Sequence, residues 1–315
     1  MDGHETERRP LRRRRQVLAG VIGIVVLLTG VLVAAWLTAP APVRPKEVVL
    51  GRLRADGGRF VPLRAISPVL QGAIVATEDE RFYRHHGIDL IGLMRAVAYD
   101  ASHLTLSQGG STLTEQLAKV LYLGGNDGSP WRKLQDAAIA MRLESELSKQ
   151  QILELYLNSV YFGDGTYGVG AASERYFGVA PAHLDLARAS LLAGVIQDPS
   201  GYDPLLQPSL ARQRQVQVIT SMVRDGYATE DQGLAALHDP IPLGDGSRLP
   251  PIEAQIVAPA TSFAKLPLVA GFTLLAVGLV SFLVARHIRR TLAFGLAAVV
   301  GVAAVSLIAR SVRVA

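Results

Sequence analysis

Residues 108–119 read Gln108-Gly109-Gly110-Ser111-Thr112-Leu113-Thr114-Glu115-Gln116-Leu117-Ala118-Lys119. Glycines and hydroxyls ahead of an apolar-periodic run mark a helix N-terminus, where unpaired backbone N–H groups suit an anion. Ser111 or Thr112 is placed to cap, and Glu115, three residues after Thr112, can complete a capping box. Thr112, Gln116 and Lys119 fall at i, i+4 and i+7 and so share one helix face. Two readings stand. Hydroxyl, amide and ammonium hold a phosphate or diphosphate, or the segment is a well-capped helix and nothing more.

The flanking segments repeat the pattern of polar faces at helical spacing. Upstream, the apolar stretch Leu70 to Ala76 leads into Glu78-Asp79-Glu80-Arg81-Phe82-Tyr83-Arg84-His85-His86-Gly87. Glu78, Phe82 and His85 again stand at i, i+4 and i+7, which would put a carboxylate, a ring and an imidazole on one face. A Glu leaving an apolar helix is a candidate base, because desolvation raises a carboxyl's pKa. A solvated helix end closed by Gly87 explains the same residues. Downstream, Trp131-Arg132-Lys133-Leu134-Gln135-Asp136 contains an i, i+4 pair, Arg132 and Asp136, of the kind that is often only a surface ion pair.

Further out, apolar residues recur every three or four positions over Ser67 to Phe82, Gly110 to Leu123, Pro130 to Leu147 and Lys149 to Tyr161. The period continues over Gly168 to Tyr176, Asp185 to Ile196, Leu206 to Asp225 and Thr229 to Leu237. Strand-like alternation is nearly absent after Val61, so the folded part, residues 48–237, is expected to be mainly α. The Gly163 to Gly170 stretch follows no strand and reads as a turn rather than a dinucleotide loop.

At the outer edges the chain turns apolar. Val17 to Leu37 carries no charge and is long enough to span a hydrocarbon core of about 30 Å. It exceeds the about 7–15 residues of a signal-peptide core, so an uncleaved anchor is expected at 17–37, after a basic tail at 1–16. A stalk at 38–47 follows, then the domain, then a Pro/Gly-rich linker at 238–265. Two more uncharged runs, 266–285 and 291–309, flank a basic loop at 286–290. The positive-inside rule puts the six arginines before residue 16 and the 286–290 loop in the cytoplasm, and the domain outside it.

The formal charge of +5 over 315 residues sorts the same way. Residues 1–43 carry +3, residues 44–265 carry −3 and residues 266–315 carry +5. A nucleic-acid surface is therefore excluded as the source of the basicity, which belongs to the membrane flanks. The chain has no cysteine, which excludes disulfides, thiolate zinc sites and a thiol nucleophile.

Together and in this order, the segments resemble the transglycosylase domain of penicillin-binding proteins and monofunctional peptidoglycan glycosyltransferases, glycosyltransferase family 51. The family's ED-x-x-F-x-x-H-x-G motif is matched at Glu78, Asp79, Phe82, His85 and Gly87. Its GGST-x-T-Q-Q-L-x-K motif is matched at Gly109 to Thr112, Thr114, Gln116, Leu117 and Lys119, and its R-K pair at Arg132 and Lys133. Ile152 to Asn158 with Tyr161-Phe162-Gly163 resembles the fourth motif. Leu192-Ala193-Gly194 with Pro199-Ser200 and Tyr202-Asp203-Pro204 resembles the fifth. The sequence departs from the family twice. Glu115 stands where the first Gln of the Q-Q pair is expected, and Asp136 where a Glu is expected.

The resemblance implies a lysozyme-like helical glycosyltransferase domain, held by one N-terminal and two C-terminal transmembrane helices in a bacterial plasma membrane, with the domain on the extracytoplasmic face. The implied reaction is polymerisation of lipid II into β-1,4 glycan with inversion and release of undecaprenyl diphosphate. Glu78 and Asp136 would be catalytic, Glu78 as general base. Asp79, Phe82, His85, Ser111, Thr112, Gln116, Lys119, Arg132 and Lys133 would bind substrate, with His85 orienting the Glu78 segment. No cofactor is obligatory; Mg²⁺ or Mn²⁺ would sit at Asp136. Expected partners are lipid II, the growing glycan strand, the membrane and a transpeptidase or other wall-synthesis protein, since only the linker separates the domain from the C-terminal spans. A weakly active membrane scaffold and a lytic muramidase are the alternatives. Leu90-Ile91-Gly92-Leu93-Met94 and Val97 are either ordinary core or a segment dipping into the bilayer surface.

Overall fold

The computed structural model describes residues 8–103, 110–124, 129–254 and 256. The expected C-terminal spans, 266–285 and 291–309, and the basic loop between them lie outside the described residues. The described chain is mainly helical, as expected. α1 (Arg8–Thr38) and α2 (Pro45–Ala55) are followed by α3 (Pro68–Glu78), α4 (Leu90–His103) and α5 (Leu113–Ala118), the last running on into a π-helical turn at Lys119–Leu123. Then come α6 (Pro130–Glu146), α7 (Lys149–Leu157), α8 (Val169–Phe177), α9 (Leu186–Val195), α10 (Pro208–Arg224) and α11 (Glu230–His238). A short antiparallel pair, β1 (Ile241–Pro242) and β2 (Arg248–Leu249), closes the described order.

The helix starts follow from local chemistry. Ser129, Ser148, Asp185 and Thr229 each accept a hydrogen bond from the backbone N–H three residues on, which satisfies one of the open donors of α6, α7, α9 and α11. Proline stands in the first turn of α2, α3, α6 and α10, where its missing N–H costs nothing.

The core forms around α3. Leu70, Ala73, Ile74, Val75 and Ala76 are all buried, and the helix packs between α9 and α10. Full burial of a side chain such as Leu70 or Ile74 is worth about 1.5–3 kcal/mol before chain entropy is counted. Small residues allow the close approach: a Cβ on Gly194 in α9 would lie 2.9 Å from Cγ of Arg214 in α10. On the other side α5 packs against α6 and α7, and α6 packs against α1. The cleft opens between these two groups, at the C-terminal end of α3.

Two stretches are more ordered than expected from sequence. α2 begins at Pro45 and buries Val49 and Leu53, so the last residues of the expected stalk already belong to the folded body. Within 238–265, Ile241, Leu243, Leu249 and Ile256 are buried against the helices. The expected anchor at 17–37 falls within α1, a 31-residue helix with no charged residue after Arg15; among the residues whose side chains are described, no helix is long and apolar enough to cross a membrane.

Candidate active site

α3 stops at Glu78, and that stop makes the site. Asp79 leaves helical geometry, with φ −159° and ψ 74°, because its carboxylate is drawn into tertiary bonds. Asp79 Oδ2 accepts from the Leu113 backbone N–H at 3.0 Å, at the first residue of α5. The same carboxylate meets His85 Nε2 at 2.9 Å and 3.1 Å. Asp79 and His85 are both buried. They tie the segment after α3 to the start of α5 and leave Glu78 pointing into the cleft between them.

The expectation that Glu78, Phe82 and His85 share a helix face is therefore corrected. Residues 79–81 form a turn and Phe82–Arg84 a 3₁₀ turn. Phe82 is completely buried, with the Lys149 ammonium 4.4 Å from its ring centroid. Its place is in the core, not on a substrate.

Glu78 is half-buried and accepts from Gln116 Nε2 at 2.9 Å; Gln116 Oε1 in turn accepts from the buried Tyr156 hydroxyl at 2.9 Å. Burial raises the Glu78 carboxyl above its ordinary range, the Gln116 bond and the Arg214 charge draw it back, and Asp79 adds a smaller upward push. Tyr156 is held well above the usual phenol range by burial and then by the Glu78 charge, so it stays a donor.

The opposite wall is the start of α5. Thr112 caps it: Thr112 Oγ1 accepts from the Glu115 N–H at 3.1 Å, and Glu115 Oε2 accepts from the Thr112 N–H at 2.8 Å. Thr112 Oγ1 also donates to Gly87 O at 2.7 Å. Gly87 has φ +91°, and a Cβ there would lie 2.9 Å from the Met141 backbone nitrogen, so glycine is required where this loop passes α6. The Thr112 hydroxyl is thus occupied by the fold, which corrects its expected role as a phosphate donor. Glu115, the first departure from the family pattern, is absorbed by the capping box and by Lys133 Nζ at 3.3 Å.

Lys133 also donates to Ser111 Oγ at 2.5 Å, which brings α6 to the mouth of α5. Arg132, beside it, donates to Gly124 O. Asp136 is buried, and its Oδ1 has no partner among the described residues. Burial raises its carboxyl; Lys133 opposes that most strongly, and Glu115 adds to it. Lys119, at the junction of α5 and the π turn, and Arg132 act on Asp136 in the same sense as Lys133. The second group of expected residues is therefore brought together in space: Ser111, Lys119, Arg132, Lys133 and Asp136.

The cleft of about 290 Å³ is lined by Glu78, Asp79, Glu80, Asp89, Ser111 and Thr112, and by residues the sequence reading did not single out: Arg95, Gln197, Arg214, Ser221 and Arg224. Glu80 pairs with Arg95 and with Arg224, the latter at 3.1 Å, and Asp89 pairs with Arg81 at 3.1 Å. With Asp79 committed to His85 and Leu113, Glu78 is the cleft carboxylate that meets no cation at ion-pair distance among the described residues. Nothing in the local pattern of α10 distinguishes Arg214 or Arg224 from ordinary surface arginines; only the packing on α3 brings them here. A larger cavity of about 540 Å³ lies between α9, α11 and β1, away from Glu78.

Among the described residues, no group of three or more His, Asp or Glu side chains converges as a metal site. Asp136 Oδ1 is a free oxygen, but cations surround it and Glu115 is already engaged. A divalent ion would fit only with most of its ligands from a bound substrate, as is usual for Mg²⁺ with phosphates.

The profile of the transglycosylase family matches residues 46–223. A Cupriavidus necator protein whose name assigns it as a transglycosylase is 43% identical over 184 residues, covering 58% of this chain and 79% of that protein. Penicillin-binding protein 2D from Bacillus subtilis is 35% identical over 234 residues, or 71% of this chain and 33% of the relative. Penicillin-binding protein 1A from Escherichia coli is 38% identical over 204 residues, or 65% and 23%. The chain thus spans a third or less of these two penicillin-binding proteins. Among solved structures, penicillin-binding protein 1A from Haemophilus influenzae aligns with 59% of this chain at 24% identity and a TM-score of 0.35.

Proposed function

The chain belongs to the transglycosylase family, and from that premise we propose that it is a peptidoglycan glycosyltransferase that polymerises lipid II. One observation carries the reading. An unpaired, partly desolvated carboxylate, Glu78, lies across a single cleft from Ser111, which Lys133 of the cationic α6 end touches. Base and anion site are the two parts this transfer needs.

In the proposed step, Glu78 takes the proton of the acceptor 4-hydroxyl as its oxygen attacks the anomeric carbon of the donor. The new O4–C1 bond forms as the C1–O bond to the diphosphate breaks on the opposite face. Configuration inverts, and no covalent enzyme intermediate is formed. The departing undecaprenyl diphosphate takes the bonding electrons, and Lys119, Lys133, Arg132 and Ser111 supply the cations and donor that stabilise its charge. Gln116, held by Tyr156, keeps Glu78 oriented and ionised. Asp136 orients those cations; were Mg²⁺ or Mn²⁺ to bind beside it with the diphosphate, the ion would add charge neutralisation there. Asp79 and His85 act one step back, by fixing the turn after α3.

Two features support a membrane setting. Leu90, Ile91, Leu93 and Met94 are exposed on α4, which favours the surface-dipping reading over core. Along α1, Ile24, Val26, Leu27, Leu28 and Leu32 are exposed, so α1 is proposed as the anchor, with the domain outside the cytoplasm. Partnership with a transpeptidase is part of the same proposal.

The muramidase alternative needs a second usable carboxylate. Asp79, Glu80 and Asp89 are each paired, and Asp136, with its free oxygen, does not line the cleft with Glu78, which speaks against it. Offering the protein lipid II and, separately, purified glycan tests the choice. Glycan synthesis from lipid II without cleavage of the polymer is expected; cleavage alone would overturn the proposal.

A further inference from the structure

α1 is only partly closed by its own sequence. Thr38 Oγ1 donates to Ala34 O at 2.8 Å and the Ala39 N–H to Ala35 O at 3.0 Å, but the last turn carries no basic residue, and Pro40 has no N–H to offer the Trp36 carbonyl four residues before it. Arg142, in the last third of α6, supplies what is missing. Its Nη1 donates to Ala39 O at 2.9 Å and to Pro40 O at 3.3 Å, and its Nη2 donates to Trp36 O. The guanidinium also stacks on the Trp36 ring, 4.4 Å from the centroid. A cation at a helix C-terminus is favoured by the helix dipole, and here it comes from another helix. Gln135 adds contacts of 3.4 Å to Thr38 O and Oγ1.

Gln135 and Arg142 are seven residues apart on one stripe of α6. Lys133 and Asp136 leave the same helix on other sides, Lys133 toward Ser111. α6 therefore joins the end of α1 to the anion side of the cleft. Residues 39–44 alone would be a short tether about which the domain could swivel; buried Ala35 and Ala39 pack the joint, and the arginine locks it. With it, the direction of α1 fixes the direction of α6.

We infer that Arg142 is a positioning residue, clamping α1 to α6 so that the cleft meets a membrane-held substrate at a set height and tilt. The inference rests on the reading of α1 as a membrane anchor and of the cleft as the site of transfer from lipid II. Trp36 fits this place, since tryptophan rings favour the bilayer interface. Lysine could not substitute: one ammonium lacks the planar fork that serves several carbonyls and stacks on a ring.

The chain has no cysteine, so Leu32→Cys and Glu146→Cys accept one spin label each in the full-length protein, reconstituted in phosphatidylglycerol/phosphatidylethanolamine vesicles. A narrow distance distribution is expected, broadened by Arg142→Ala and not restored by Arg142→Lys. A distribution that stays narrow in Arg142→Ala overturns the clamp. On polyprenyl lipid II in the same vesicles, Arg142→Ala should lose rate on the order of tenfold. On a short-chain lipid II analogue in detergent its rate should be unchanged; an equal loss on both substrates also overturns the inference. If the parent protein polymerises neither substrate, glycosyl transfer is refuted, and the label distances alone support or overturn the clamp.

Discussion

At Glu78 opposing effects meet, and burial prevails. Burial disfavours its charge, while the Gln116 amide and the Arg214 guanidinium favour it. A carboxyl raised in the folded state gives stability that is present below the unfolded carboxyl pKa and is lost as pH rises through the folded value. Ionised Glu78 is therefore a cost to the fold at neutral pH, as befits a group kept for chemistry. Removing the Gln116 bond takes away one support of the charge. Gln116→Ala should shift the acid limb of the kcat/KM profile for glycan synthesis to higher pH, and a limb that does not move would show that Glu78 is not the titrating base. The sequence exposed Glu78 itself, as a carboxylate leaving an apolar stretch. It could not expose Arg214 or the Tyr156–Gln116–Glu78 chain of hydrogen bonds, because those meetings depend on how α10 and α7 pack.

At the scale of elements, α5 is only six residues long and is too short to hold by itself. Its N-terminus is secured three ways, by the Thr112–Glu115 box, by Asp79 on the Leu113 N–H, and by Thr112 on Gly87 O. Thr112→Ala removes the cap and leaves the Gly87 carbonyl without that donor. It should destabilise the protein by about 1 kcal/mol or somewhat more, read as a lowered midpoint in chemical denaturation; an unchanged midpoint would mean the box contributes nothing. The box was legible because its spacing is local. The end of α3 was not. The polar and apolar pattern runs smoothly to Phe82, and what breaks the helix at Asp79 is a bond to a residue in α5. α2 escaped notice for a related reason: Pro45, at its start, read as part of a stalk, while its two buried residues, Val49 and Leu53, acquire meaning only from their neighbours.

Across the whole molecule, charge and apolarity divide by location. The net positive charge lies outside residues 44–265, and the cationic groups inside that segment that matter here gather at the junction of α5 and α6. The exposed apolar side of α4 stands beside the cleft through Gly92, Arg95 and Ala96. Replacing Leu90 and Ile91 together by serine should raise KM several-fold for lipid II held in vesicles while leaving the melting temperature in place. An unchanged KM would return those residues to the status of ordinary surface. The order of motifs was legible along the whole domain, whereas the seating of α1 on α6 was not, since it depends on one arginine reaching carbonyl groups about a hundred residues earlier. What the molecule does is tested most directly by comparing wild type with Glu78→Gln in polymerisation of lipid II under identical conditions. The amide keeps the Gln116 hydrogen bond but cannot take a proton, so glycan synthesis should be abolished while stability near neutral pH is equal or higher. Glycan synthesis by Glu78→Gln at close to the wild-type rate would contradict the account.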